Sequence, residues 1–196
     1  MDSGSSKMKV DFNSPAILAF TALCTFALVL QLLTGGWTTD MFFSIYRSSL
    51  FSPLTYVRFI GHIFGHADWS HYIGNMMLIL IIGPLLEEKY GTYNIVVIIF
   101  ITALITGLVN YTLFPRVQLL GASGVVFAFI LLSSFTGIKE GNIPLTFILV
   151  GVIYLGQQVL EGIFIQDNIS NITHIVGGMT GAYLGYVMNI RGKNPY

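Results

Sequence analysis

The run AILAFTALCTFALVLQLL (16–33) holds eighteen residues and no charge. A helix needs about 20 mainly apolar residues to cross the hydrocarbon of a bilayer, and every backbone polar group there must be satisfied within the segment. Further apolar runs follow at 70–86, 93–114, 121–138, 144–160 and 172–190, separated by the polar stretches EEKYGT, FPRVQ, GIKEGN and QDNISN. Charged residues make up only 9% of the chain, against about 25% in soluble domains. The chain therefore reads as an all-α polytopic membrane protein with six transmembrane helices. No strand-like alternation or internal repeat stands out. The net charge of zero gives no footprint for nucleic acid.

Residues 1–14 read as a polar tail, 15–190 as the membrane domain and 191–196 as a short second tail. Ser14-Pro15 offers an N-cap followed by a first-turn proline. No small-residue cleavage site follows the first run, which reads as an anchor helix. Cys24, the single cysteine, lies inside that run and has no disulfide partner in the chain. Residues 35–67 form a long mixed segment whose aromatics, Phe42, Phe43, Tyr46 and Phe51 among them, suit a membrane interface. The sequons at Asn168 and Asn171 read as turn and capping residues. With both termini cytoplasmic, Lys7, Lys9, Lys89, Lys139, Arg191 and Lys193 fall inside, and Arg47, Arg58 and Arg116 outside. This positive-inside excess places the chain as a multi-pass cell-membrane protein with both ends in the cytoplasm.

In that topology the second, fourth and sixth helices enter from the outer face. Their first turns carry HADWSHYIGN (66–75), GASG (121–124) and SNITH (170–174). His71, Asn75, Ser123 and His174 then lie at one shallow depth, and His71 and Asn75, four apart, share a helix face. Polar groups inside a bilayer are costly and default to a functional role facing the bundle interior. Serine is a weak nucleophile that needs a base, and His174 can take its proton and return it to a leaving amine. His71, Asn75 and the Ser123 backbone N–H can donate to a developing oxyanion. Gly121 and Gly124 remove bulk so that a substrate backbone can approach, and Phe127, one turn below Ser123, can stack under the His174 ring. No intramembrane Asp or Glu is placed to orient the imidazole, so a dyad fits better than a triad.

Each element also has a plainer reading. Small residues at helix tops are common packing devices, and Gly177, Gly181 and Gly185, at spacing four, read as a close packing seam. His62, His66 and His71 could be a metal site, but His71 stands five beyond His66 and no H-E-x-x-H is present, so no metal or other cofactor is expected. The G-x-S-x-G elbow is excluded because Val125 fills its last place.

GHIFGHADWSHYIGN, GASGVVFAF and HIVGGMTGAYLG, in this order and spacing, together closely resemble the rhomboid intramembrane serine proteases of the compact six-helix type. The resemblance implies Ser123 as nucleophile, His174 as base, and His71 and Asn75 as the H-x-x-x-N pair supporting the oxyanion. Arg58 matches the arginine of the family's W-R motif, with Val57 where tryptophan is usual, and Phe127 stands where some relatives carry tyrosine. Glu87, His62 and His66 match positions taken as fold-supporting. It implies transmembrane protein substrates within the lipid bilayer, a loop at 35–67 lying sideways in the outer leaflet, and a gate and cap formed by the fifth helix, which carries Gly151 and Gly156, and the loop 161–171. Two rivals from other classes are a rhomboid-like pseudoprotease that only binds membrane proteins and a small channel or transporter. Loss of Ser123 or His174 would mark the first, and charged residues at the midplane the second.

Overall fold

The computed structural model describes residues 12–135 and 168–191, with isolated helical positions at 145, 148, 149, 152, 153 and 156. The expected fifth helix at 144–160 otherwise lies outside the described residues, as does the loop up to 167. Among the described residues the chain forms α1 (Pro15–Thr34), α2 (Trp37–Phe42), α3 (Pro53–Gly61), α4 (Trp69–Tyr90), α5 (Thr92–Leu113), α6 (Ser123–Phe135) and α7 (Asn168–Arg191). A 3-10 turn at His62–Phe64 follows α3 directly. Helices α1, α4 and α5 are each long and apolar enough to cross a membrane. They carry large apolar side chains on their outer faces, among them Phe26, Ile81 and Leu85, a distribution that costs nothing in lipid.

The helix ends follow from local chemistry, with one reassignment. Ser14 occupies the N-cap position of α1, but its hydroxyl makes no capping bond and is buried without a partner among the described residues. The cap comes instead from Glu87 of α4, whose carboxylate oxygens accept from the backbone N–H groups of Ala16 and Ile17, both at 3.0 Å. The Thr92 hydroxyl also donates to that carboxylate, at 2.7 Å. Helix α4 runs through Pro84 and past residue 86 to Tyr90. It ends at Gly91, whose φ of 81° suits glycine and whose N–H reaches back to the Glu87 carbonyl. The polar stretch EEKYGT is thus the last turn of α4 and a one-residue corner. Helix α7 begins at Asn168, so both sequons lie in its first two turns.

Helix α6 is the hub. Ala122, just before it, and Val125, Val126, Ala128, Phe129 and Leu132 are all essentially buried. All but Ala128 pack among Ile79 and Met76 of α4, Ile95 and Ile98 of α5, and Phe20 and Cys24 of α1 in one apolar cluster. Against α7 the contact is closer still. A Cβ on Gly177 would lie 2.9 Å from the Gly124 Cα, and one on Gly181 would strike the Ala128 backbone. The expected glycine seam therefore exists at Gly177 and Gly181, with Ala128 and Gly124 as its facing surface.

Residues 35–67, read as a loop, carry α2, α3 and the 3-10 turn. Gly61 and Gly65 lie flush against the Phe42 and Phe43 carbonyls, where no side chain would fit. Arg58 is buried, donates from Nε to the Met41 carbonyl at 3.0 Å, and lies 4.4 Å from the centre of the Tyr46 ring. Phe51 is fully exposed at the rim of this segment.

Candidate active site

Helix α6 opens at Ser123 and α7 crosses it closely enough to bring in a residue 51 positions later. His174 Nε2 lies 2.9 Å from Ser123 Oγ, a hydrogen bond between side chains on two helices. The Phe127 ring, one turn below Ser123, lies 4.5 Å, centre to centre, from the His174 ring at a 47° tilt. A cavity of about 450 Å³ opens over these groups and is also lined by His71, Asn75 and Gly74. No aspartate or glutamate is among the described residues that line it.

His71 and Asn75 reach the same cavity from the first two turns of α4. Asp68, the N-cap, accepts from the His71 backbone N–H at 2.8 Å and fixes the start of the helix. The Ala67 backbone N–H donates to His71 Nδ1 at 3.4 Å, which leaves the ring hydrogen of a neutral imidazole on Nε2. That Nε2 faces Gly121: a Cβ there would lie 2.7 Å from both Nε2 and Cε1. Gly121 also has a φ of 126°, so both backbone and ring exclude any other residue. Asn75 is buried, and its Nδ2 has no hydrogen-bond partner among the described residues. An unpaired buried donor is unusual, because such a group forfeits the water it would otherwise bind.

The loop that presents Ser123 is held from below by residues 35–67. Ile45 and Leu119 exchange both backbone hydrogen bonds, at 2.8 and 2.9 Å. Asn110 of α5 donates to the carbonyls of Ile45 and Val117, both at 3.1 Å. Gln118 donates to the Asp40 carboxylate and the Ser44 hydroxyl. The Gly121 N–H then donates to the His62 carbonyl at 2.9 Å. His62 itself donates from Nδ1 to the Arg58 carbonyl, and its Nε2 lies 3.3 Å from the Thr106 hydroxyl. Burial pushes its imidazole down to about 4, against backbone hydrogen bonds to Arg58 and Phe59 that favour the charged ring. His66, buried and next to the His71 ring, is likewise held down to about 4. His62 thus lies under the loop, and His66 packs edge-on against the His71 and Tyr72 rings. Among the described residues no three His, Cys, Asp or Glu side chains converge as metal ligands.

Gly124 has a packing role that its spacing alone does not show. A Cβ on Gly124 would meet the Thr106 methyl at 3.2 Å, and the Gly124 backbone faces Gly177. Its missing side chain makes room for α5. The side on which a residue sits depends on helix rotation, which spacing alone leaves open.

A model of the rhomboid domain matches residues 53–191. Rhomboid-related protein 1 of Caenorhabditis elegans is 29% identical over 140 residues, 67% of this chain and 39% of that protein. Rhomboid-related protein 2 of Mus musculus is 28% identical over 159 residues, 70% of this chain and 52% of that protein. Rhomboid protease GlpG of Yersinia pestis is 26% identical over 179 residues, 88% of this chain and 62% of that protein. The chain thus spans between 39% and 62% of the length of these curated relatives.

Proposed function

The chain belongs to the rhomboid family, and on that premise we propose that it is an intramembrane serine endopeptidase using Ser123 and His174 as a catalytic dyad. The observation that carries the reading is the 2.9 Å separation of Ser123 Oγ and His174 Nε2 inside a cavity that His71 and Asn75 also line. His174 accepts the Ser123 proton as Oγ attacks the scissile carbonyl carbon. The carbonyl oxygen becomes an oxyanion, met by the Ser123 backbone N–H at the open end of α6, by His71 Nε2–H and by Asn75 Nδ2. His174 then returns the proton to the leaving amine, whose C–N bond breaks to leave an acyl-enzyme on Ser123. Water, deprotonated by the same imidazole, hydrolyses that ester and restores the serine.

The substrate is a transmembrane segment of another membrane protein. A helical peptide bond is shielded by its own hydrogen bonds, so the segment must unwind, and freed backbone groups in lipid cost several kcal/mol unless they find partners. The unpaired Asn75 donor supports a site built to supply them. A small side chain before the scissile bond, with Gly, Pro or polar residues beyond it, is the preferred pattern. The cavity opens toward the outer face when both termini are cytoplasmic. The pseudoprotease reading is disfavoured by the intact serine–histidine hydrogen bond.

The test uses the purified chain in liposomes with a panel of transmembrane substrates and a fluorophosphonate probe. Wild type should cleave and label. Ser123→Ala and His174→Ala should do neither while keeping wild-type thermal stability. Cleavage by Ser123→Ala at the wild-type rate would remove the serine from the mechanism.

A further inference from the structure

Gln31 stands near the end of α1, outside the stretch 53–191 that the rhomboid domain model matches. A primary amide in an apolar helix is costly unless its polar atoms find partners. Both ends of this amide are engaged. Its Oε1 accepts from the hydroxyl of Thr39, a buried residue of α2, at 3.0 Å. Its Nε2 donates to the Ala67 carbonyl, 36 positions away, at 2.9 Å. A carbonyl only accepts, so the amide nitrogen must face Ala67 and the oxygen Thr39. The Gln31 backbone carbonyl meanwhile accepts from the Gly36 N–H at 2.9 Å, where α1 ends. One residue thus joins the end of α1, helix α2 and the segment that leads into α4.

That segment surrounds His71. The Ala67 N–H donates to His71 Nδ1 at 3.4 Å. The next residue, Asp68, accepts from the His71 backbone N–H at 2.8 Å. The residue before, His66, donates from Nδ1 to the Phe64 carbonyl at 3.1 Å and sets its ring 5.1 Å from the His71 ring at 65°. Residues 66–68 therefore meet His71 at its ring, its Nδ1 and its backbone. A hydrogen bond at one ring nitrogen decides which nitrogen carries the proton of a neutral imidazole. Here that proton falls on Nε2, which faces Gly121, shortly before Ser123.

Resting on the reading of His71 as an oxyanion donor, we propose that Gln31 is a positioning residue for the reaction: by holding Ala67 it sets the tautomer and direction of the His71 ring. It touches no substrate itself. Its bond to buried Thr39 keeps the amide turned toward Ala67. The first spanning helix then contributes to the chemistry as well as anchoring the chain. A misplacement of about 1 Å at a reacting centre can cost about 100-fold in rate, so a positioning residue has a large effect to control.

A double-mutant cycle separates positioning from bracing. kcat and KM for one cleaved transmembrane substrate are measured in liposomes for wild type, Gln31→Met, His71→Ala and the double variant. Methionine keeps the length of the side chain and removes both hydrogen bonds. Gln31→Met should lower kcat about tenfold and leave KM within about threefold of wild type. His71→Ala should lower kcat about 100-fold, the scale of one oxyanion donor. In the His71→Ala background, Gln31→Met should change kcat by less than about twofold, because the group it orients is gone. Thr39→Val keeps the shape and loosens the amide. It should give a smaller loss of kcat that also vanishes in the His71→Ala background, and it decides the matter if Gln31→Met does not fold. Equal slowing in both backgrounds makes Gln31 a brace and overturns the proposal, as does an unchanged kcat or a loss confined to KM. An unchanged kcat in His71→Ala removes the oxyanion role, and the positioning with it. Absence of cleavage by wild type overturns the catalytic reading from which both proceed.

Discussion

The Cα of Gly124 on α6 lies where the side chain of residue 177 on α7 would begin, 2.9 Å from the position a Gly177 Cβ would take. Gly177 follows His174 by three residues and Gly124 follows Ser123 directly. The hydrogen bond between serine and histidine is therefore set by a backbone contact less than one turn away.

That contact makes a prediction about size. Gly177→Ala should lower stability by about 1–3 kcal/mol through overpacking, and Gly177→Val by more. Both should slow fluorophosphonate labelling of Ser123, because α7 must move away from α6 to admit the new atoms. Thermal unfolding in detergent and labelling rates read the two effects. A valine variant with unchanged stability and labelling would contradict the seam.

Glu87 should matter to the fold from the end of α4 remote from the catalytic cavity. Glu87→Ala leaves the Ala16 and Ile17 N–H groups without their acceptor, at about 1–3 kcal/mol for each buried donor left unsatisfied. Glu87→Gln keeps one acceptor oxygen and should fall between alanine and wild type. The order of the three melting temperatures is the measurement. Equal values for alanine and wild type would mean that the cap carries no stability.

His62 predicts an acid limit to stability. Its ring is held neutral down to about 4 in the fold, whereas a free imidazole titrates near 6.5. Between these values the unfolded chain binds the proton and the folded chain does not, so stability falls as pH drops from about 6.5 to about 4. Above that window the group contributes no slope. His62→Gln should reduce the slope of melting temperature against pH within the window. An unchanged slope in the variant would assign the acid sensitivity to other groups.

The orientation is testable with single cysteines. In a Cys24→Ser background, Arg116→Cys, at an exposed position in the turn after α5, should react with an impermeant thiol reagent from the outer face. Tyr93→Cys, exposed at the start of α5, should react from the inner face alone. The reverse pattern would invert the topology and move the cavity to the cytoplasmic side.

The sequence made the apolar spans and the polar cluster legible for a definite reason. Long uncharged runs have few alternatives in water, and Ser123, His71, Asn75 and His174 are conspicuous against them. The structure brings the four to one cavity. Hidden from the sequence were matters of rotation and distance. The short helices α2 and α3 lack the length that makes a span visible, and α2 starts directly after Gly35 and Gly36, which cap α1 and α2. Ser14 looked like a cap, yet the acceptor came from Glu87, 71 positions beyond Ala16, a partnership no local pattern records. Gly124 was noticed for the right spacing but faces its neighbours.

The 51-residue interval between the hydrogen-bonded serine and histidine has a consequence for biosynthesis. Chains emerge from the ribosome N-terminus first. A nascent chain that has inserted α6 already carries its serine, with the Ile45–Leu119 ladder available to hold the loop. It lacks the His174 imidazole until α7 arrives and closes on Gly124. On the proposed chemistry the hydroxyl stays unactivated throughout that interval, when unassembled helices of the same chain lie within reach. Competence is acquired at the last insertion step, and a chain interrupted before Asn168 is inert.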